Sequence, residues 1–432
     1  MFYDEILQRL KGKTARDVVT VFIGNSLRSV LSFISNLIAI RLLGPAGFGT
    51  VASANAAMTL TAQATDFGLT TSSVRCGSMY LEEEPERTEL IFKVTFSIKL
   101  MLGLPVLILL VLLSPSIATG VFGKGELSFP LMIAFSGSFC FLLASFPLGI
   151  LQTYRRFGRY LIVAVSQGVA QLVLVVTLIA TGRMEPAAVV IAFAAAPFCA
   201  FAIGWLLVSK SFIRARGEWT GVAREILGFG KWVTISTFAT MFIMRLDILM
   251  LTAMSTSSEV GRYASANQLA YLFPLITGAM TTALLPKATG IRERHELQKY
   301  VIDTLRITPF AVIVAVGLLI FAKPVIGLLF TARYLDAVPI FTILLLSFLL
   351  SVILNPASLA LYTLDRADLL AYLNLAQLVV NFAGNLILIP MMGGVGAALS
   401  SLAVRVLGGI YIVYCLRRFL FKGHRSQVRG SG

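Results

Sequence analysis

Six charged residues fall inside otherwise apolar runs: Arg28, Lys99, Arg245, Asp247, Arg306 and Arg405. A charge at the centre of a membrane helix costs about 2.5–3.5 kcal/mol on insertion scales, so each needs a partner, a cavity or a path to the interface. The set is mainly basic, so the chemistry on offer is neutralisation of an anion away from water. Lys99 and Arg306 lie near the ends of their runs, where a long stem can snorkel. Arg28 and Arg405 lie deeper and suit a cavity. Asp66, near a run's end, and Asp247 are the acids available to a coupling ion.

Polar residues accompany these charges at helical spacing. Asn25, Arg28, Ser29, Ser32, Ser35 and Asn36 recur at steps of three and four, on one helix face. Asn374, Gln377, Asn381 and Asn385 repeat the pattern later in the chain. Such a stripe suits either the wall of a water-filled cavity or polar packing between helices. Arg245 and Asp247 stand two residues apart, on roughly opposite faces, so they do not simply neutralise one another.

Other chemistries lack their residues. The two histidines, His295 and His424, lie in basic loops. Cys76, Cys140, Cys199 and Cys415 show no motif spacing, and three of them sit in apolar runs as small packing residues. There is no metal-ligand cluster, phosphate loop, nucleophile motif or cofactor motif, so an enzyme is not expected. The acidic run Glu82-Glu83-Glu84-Pro85-Glu86 reads as a solvated turn.

The elements that must position these residues follow from composition. The 432-residue chain is 57% hydrophobic and 13% charged, against roughly 25% charged in soluble domains. At about 20 apolar residues per crossing, the pattern predicts an all-α polytopic membrane protein with about twelve spans. These are 18–41, 46–68, 89–113, 128–152, 159–181, 186–209, 229–253, 261–286, 301–322, 337–362, 369–390 and 394–416. The net charge of +15 does not point to nucleic acid, because Lys and Arg concentrate in alternate connections. The opposite connections carry only Arg41, Lys124, Arg183, Arg262, Lys323 and Arg333. That alternation predicts an even number of spans with both termini in the cytoplasm.

The chain also repeats itself. Gly47-Phe48-Gly49-Thr50-Val51-Ala52-Ser53-Ala54-Asn55 returns as Val260-Gly261-Arg262-Tyr263-Ala264-Ser265-Ala266-Asn267, about half a chain later. Arg156, Gln167 and Gln171 are echoed by Arg366, Gln377 and Asn381. An offset of six spans preserves orientation, so the halves are expected to be parallel repeats. The expected divisions are a bundle of six helices over 1–209, a cytoplasmic linker at 210–228, a second bundle over 229–416 and a basic tail at 417–432. Gly44, Pro45, Gly49, Gly261 and Pro356 are the candidate hinges.

Leu42-Leu43-Gly44-Pro45-Ala46-Gly47-Phe48-Gly49 resembles the N-terminal signature of polysaccharide (Wzx-like) flippases, as does Asp247 followed by Val260-Gly261-Arg262-Tyr263. These belong to the superfamily that includes multidrug exporters and peptidoglycan-lipid flippases. The resemblance implies a MATE-like V of two six-helix bundles in a bacterial inner membrane, opening alternately to either side. The implied substrate is an oligosaccharide on undecaprenyl pyrophosphate, with membrane lipids, a polysaccharide polymerase and a chain-length regulator as further partners. Arg28 and Arg405 would then neutralise the pyrophosphate. Asn25, Ser32, Asn36, Arg245, Asp247, Asn374, Gln377 and Asn381 complete the candidate lining. The alternative within the superfamily is a cation-coupled small-molecule exporter dependent on Asp66 or Asp247.

Overall fold

The computed structural model describes residues 13–271, 273, 308–363 and 367–421. Its principal helices are α1 (Lys13–Asp66), α2 (Leu69–Tyr80), α3 (Pro85–Ser116), α4 (Ser128–Thr153), α5 (Phe157–Ala180), α6 (Pro186–Leu207) and α7 (Ser211–Arg214). They continue as α8 (Trp219–Met254), α9 (Ser257–Ala270), α10 (Thr308–Ile320), α11 (Ala322–Phe330), α12 (Val338–Thr363) and α13 (Ala367–Phe421). No strand occurs among the described residues. Seven of these helical stretches are long and apolar enough to cross a membrane, or eight if the bent pair α10–α11 forms one span. Much of the expected spans 261–286 and 301–322, with Arg306, lies outside the described residues, so the count of twelve is not established.

Two of the seven, Thr20–Asp66 and Leu373–Cys415, are more than twice the length that a single crossing needs. The bilayer core is about 30 Å thick, and a helix rises about 1.5 Å per residue. Helix α1 is broken at Gly44 (φ 68, ψ 179), a region essentially reserved for glycine. Pro45 follows, where its fixed φ suits a new first turn. Helix α13 is broken at Gly393 (φ 55, ψ −129). Counted from the repeat, Gly44 corresponds to Thr256, whose hydroxyl caps α9 by accepting from Glu259 N (3.3 Å). Each copy of the repeated segment therefore follows a break between helices at the same offset.

Gly49 and Gly261 lie inside helices, past the breaks. Ser53 Oγ bonds back to Gly49 O (2.9 Å) and Ser265 Oγ to Arg262 O (2.9 Å), both hydroxyls inside the core. The repeated segment thus supplies small residues for packing. Pro356 lies inside α12.

The chain forms two compact units, Met1–Arg245 and Leu246–Gly432. Residues 210–228, expected as the linker, include α7 and the first turns of α8. There Val222, Ala223 and Ile226 share an apolar cluster with Leu69, Leu90, Ile91, Val94 and Ile98 of the first unit. Arg87 Nη2 adds a bond to Glu225 (3.0 Å) and its guanidinium stacks on Tyr80 at 3.9 Å. The short helix α2 was not expected from the sequence; Phe67 (φ 46) and Gly68 (φ 63) turn the chain into it.

Small residues let helices approach closely. A methyl group on Gly137 of α4 would stand 2.6 Å from Ala194 Cβ of α6, and one on Gly204 of α6 2.6 Å from Pro147 of α4. Outward faces are apolar: Leu112 is 72% exposed, Leu206 76% and Met391 75%. Such surface is stable against lipid, and with the span lengths it makes this a multi-pass membrane protein.

Candidate functional site

The second unit buries a charge. Asp247, on α8 and 7% exposed, accepts three hydrogen bonds from three segments. Tyr263 Oη donates to Oδ2 (2.6 Å), Ser401 Oγ to the same oxygen (2.6 Å) and Asn385 Nδ2 to Oδ1 (2.7 Å). Charge-assisted bonds of this length offset the cost of desolvating a carboxylate. Asn385 Nδ2 also approaches Asn381 Oδ1 (3.3 Å), and Ser400 Oγ bonds Asn381 O (3.1 Å). Gly384 makes room for this: a Cβ there would lie 2.5 Å from Ser400 Oγ.

Arg405 stands one helical turn beyond Ser401 on α13. Its Nη1 donates to Ser351 Oγ (2.7 Å), and its guanidinium lies 5.0 Å from the Phe348 ring centroid. The ring and hydroxyl, both on α12, fix the plane of the fork. Ser347 Oγ bonds Ser401 O (3.3 Å), tying α12 to α13 at this level. A carboxylate and an arginine are thereby held in one unit of helices α8, α9, α12 and α13.

The first unit holds a different arrangement. Asp66 ends α1, and Thr70 of α2 donates to it through N (3.2 Å) and Oγ1 (2.8 Å). Lys99 of α3 forms a short ion pair with Asp66. Its Nζ also bonds Ser145 Oγ (2.7 Å) and Thr70 Oγ1 (2.8 Å). Snorkelling was expected for Lys99, but it is fully buried. The reason is energetic: an opposite charge and two hydroxyls within reach replace water without extending the stem. The ammonium sits where a cation attracted by Asp66 would bind.

The stripe on the first helix serves itself. Ser29 Oγ bonds Asn25 O (2.8 Å), Ser35 Oγ bonds Leu31 O (2.9 Å) and Asn36 Nδ2 bonds Ser32 O (2.9 Å). Ser35 and Asn36 are buried, whereas Asn25, Arg28 and Ser32 are half-buried. Helix α5 crosses here: a Cβ on Gly168 would meet Leu31 Cβ at 3.0 Å and Arg28 O at 3.1 Å. Local back-bonding of this kind satisfies polar groups inside a bundle.

Of the candidates, Asp247, Asn381 and Arg405 come together. Gln377 lies apart, with Leu373, Val380, Val404, Leu407, Gly408 and Tyr411, around a cleft of about 240 Å³. Asn374 is exposed on α13. Arg245 is half-buried. Tyr263, Asn385, Ser401 and Ser351 went unpredicted as partners. For Tyr263 a signal existed, since it lies within the repeated segment itself.

A family model described as polysaccharide biosynthesis protein matches residues 38–339. The chain is 24% identical over 211 residues to the probable low-salt glycan biosynthesis flippase Agl15 of Haloferax volcanii. That match spans 48% of this chain and 45% of the relative, under half of its length. The fold resembles that of lipid II flippase MurJ in an inward closed conformation, with TM-score 0.75 and 16% identity, over 92% of this chain and 87% of that one. It also resembles an inward-facing MATE family multidrug resistance transporter, with TM-score 0.76 and 16% identity, over 94% and 99%.

Proposed function

The chain belongs to the polysaccharide biosynthesis protein family, and from that membership we propose that it is a flippase for a lipid-linked oligosaccharide. The substrate is a repeat unit on undecaprenyl pyrophosphate, moved across a bacterial inner membrane by alternating access. The observation that carries this reading is the family match over most of a chain whose fold resembles that of a lipid II flippase. The relative Agl15, named as a glycan biosynthesis flippase, supports the same reading.

In this proposal the protein is a transporter and not an enzyme, with both termini cytoplasmic. Arg28 and Arg405 neutralise the pyrophosphate, whose charge is otherwise costly away from water. Arg405 suits the task because Ser351 and Phe348 hold its fork in place before substrate arrives. Polar residues such as Gln377 and Asn381 solvate the sugars, while the prenyl tail stays in lipid. The breaks at Gly44-Pro45 and Gly393 take up the change of access. A polymerase and a chain-length regulator receive the product.

The deciding experiment is translocation of a fluorescent lipid-linked oligosaccharide in proteoliposomes. Protein-dependent movement to the opposite leaflet is the expected result. No movement, together with efflux of organic cations from cells, would establish the second reading, a cation-coupled exporter. That reading draws on Asp247, whose three neutral donors leave it a negative centre on which an ion could act.

A further inference from the structure

At one end of the first unit, the turn between α4 and α5 meets the turn between α6 and α7. The two enclose a cleft of about 180 Å³ lined by Glu89, Ile150, Leu151, Tyr154, Arg156 and Val208, with Ser209 at its rim. Arg155 adopts a left-handed conformation (φ 53), rare for a side chain of its size. Arg159 Nη1 bonds Leu207 O (3.0 Å), locking one turn to the other. At the floor, Glu89 Oε1 accepts from Tyr154 Oη (2.6 Å) and Ser211 Oγ (2.7 Å). Burial first, then this carboxylate, push the Tyr154 phenol up, so it remains a donor and partly offsets the charge of Glu89.

The rim is basic. Arg155, Arg156 and Lys210 are exposed, and the Arg156 guanidinium hangs 5.9 Å from the Tyr154 ring. Among the described residues Arg156 forms no ion pair. Arg156 lines the cleft, and Arg155 and Lys210 are the chain neighbours of its lining residues Arg156 and Ser209, against one carboxylate that already has two donors, so the local field selects an anion. Ile150, Leu151 and Val208 form an apolar wall that a free, hydrated ion does not use. A group that joins a phosphate to hydrocarbon satisfies both parts.

We propose that this cleft is a binding site for an acidic phospholipid of the adjoining leaflet. Its phosphate lies against Arg156, and its glycerol and first methylenes lie along Ile150, Leu151 and Val208. The site is independent of the transported substrate and stands whether or not the flippase reading holds. Basic clusters beside membrane helices gain roughly a five-fold preference for anionic lipid per Lys or Arg.

The test is native mass spectrometry of the full chain in mixed micelles holding equal phosphatidylglycerol and phosphatidylcholine. Wild-type protein is expected to retain phosphatidylglycerol selectively. Arg156→Gln should lower that selectivity about five-fold, whereas Arg333→Gln, at an exposed arginine of the second unit, should not. Inorganic phosphate at millimolar concentration should displace nothing. Equal retention of the two lipids by the wild type overturns the proposal, as does unchanged selectivity in Arg156→Gln. Displacement by inorganic phosphate identifies a free-phosphate site and overturns it too.

Discussion

Lys99 meets Asp66 inside the first unit with no part of its side chain exposed. Their helices are joined through Thr70, which donates to Asp66 and accepts from Lys99. Removing one partner of a buried pair strands the other charge. Lys99→Met is therefore expected to destabilise the protein by about 3–5 kcal/mol. The double variant Lys99→Met with Asp66→Asn should recover most of that loss. Unfolding in mixed micelles measures both, and a double variant no better than the single one contradicts the pairing.

Tyr263→Phe removes one of the three donors to Asp247 and keeps the ring. A hydrogen bond to a charged group contributes about 1.5–3 kcal/mol, and a loss in that range is expected. Asp247→Asn abolishes the charge and turns one of the two carboxylate acceptors into a donor. It should reduce transport at unchanged protein abundance, which immunoblotting alongside the proteoliposome assay checks.

Arg405→Lys separates charge from shape. Lysine keeps the positive charge but lacks the planar fork that bonds Ser351 and stacks on Phe348. Transport should fall by an order of magnitude or more, as it should in Arg28→Ala. Full activity in both Arg28→Ala and Arg405→Ala would remove charge neutralisation from the mechanism.

Gly396→Ala is predicted to be among the most damaging small substitutions in the second unit. Its Cβ would stand 2.1 Å from the carbonyl oxygen of Leu388, and backbone cannot step aside as a side chain can. Gly44→Ala instead imposes strain of about 1–3 kcal/mol at a glycine-only conformation. Folded yield from size-exclusion chromatography should rank Gly396→Ala below Gly44→Ala.

The membrane class and the breaks at Gly44 and near Gly393 were legible because hydropathy and glycine placement are local signals. Asp247, Asn381 and Arg405 could be singled out because a charge or amide in an apolar run is itself the anomaly. Their partners could not. Ser401 is one of many serines, and only the crossing of α8 with α13 gives it a carboxylate to bond. The same holds for Lys99, whose depth depended on Asp66 and Ser145, far away in sequence. The repeat drew attention to Gly49 and Gly261, yet the chain breaks at Gly44, because shared glycines can record close packing as readily as a turn. Helix α2 escaped notice because twelve residues of mixed polarity show no membrane signal.

The equivalence of Gly44 and Thr256 bears on how the two halves tolerate change. One joint depends on a residue with no side chain, and the other on a hydroxyl that caps the following helix. Random substitution will strike them unequally: almost any replacement at Gly44 introduces strain, whereas Ser, Asp or Asn at Thr256 preserves the cap. The first joint is therefore brittle to substitution and the second forgiving. The forgiving joint lies directly between Asp247 and Tyr263, so residues there can be exchanged without unseating the buried aspartate's partner.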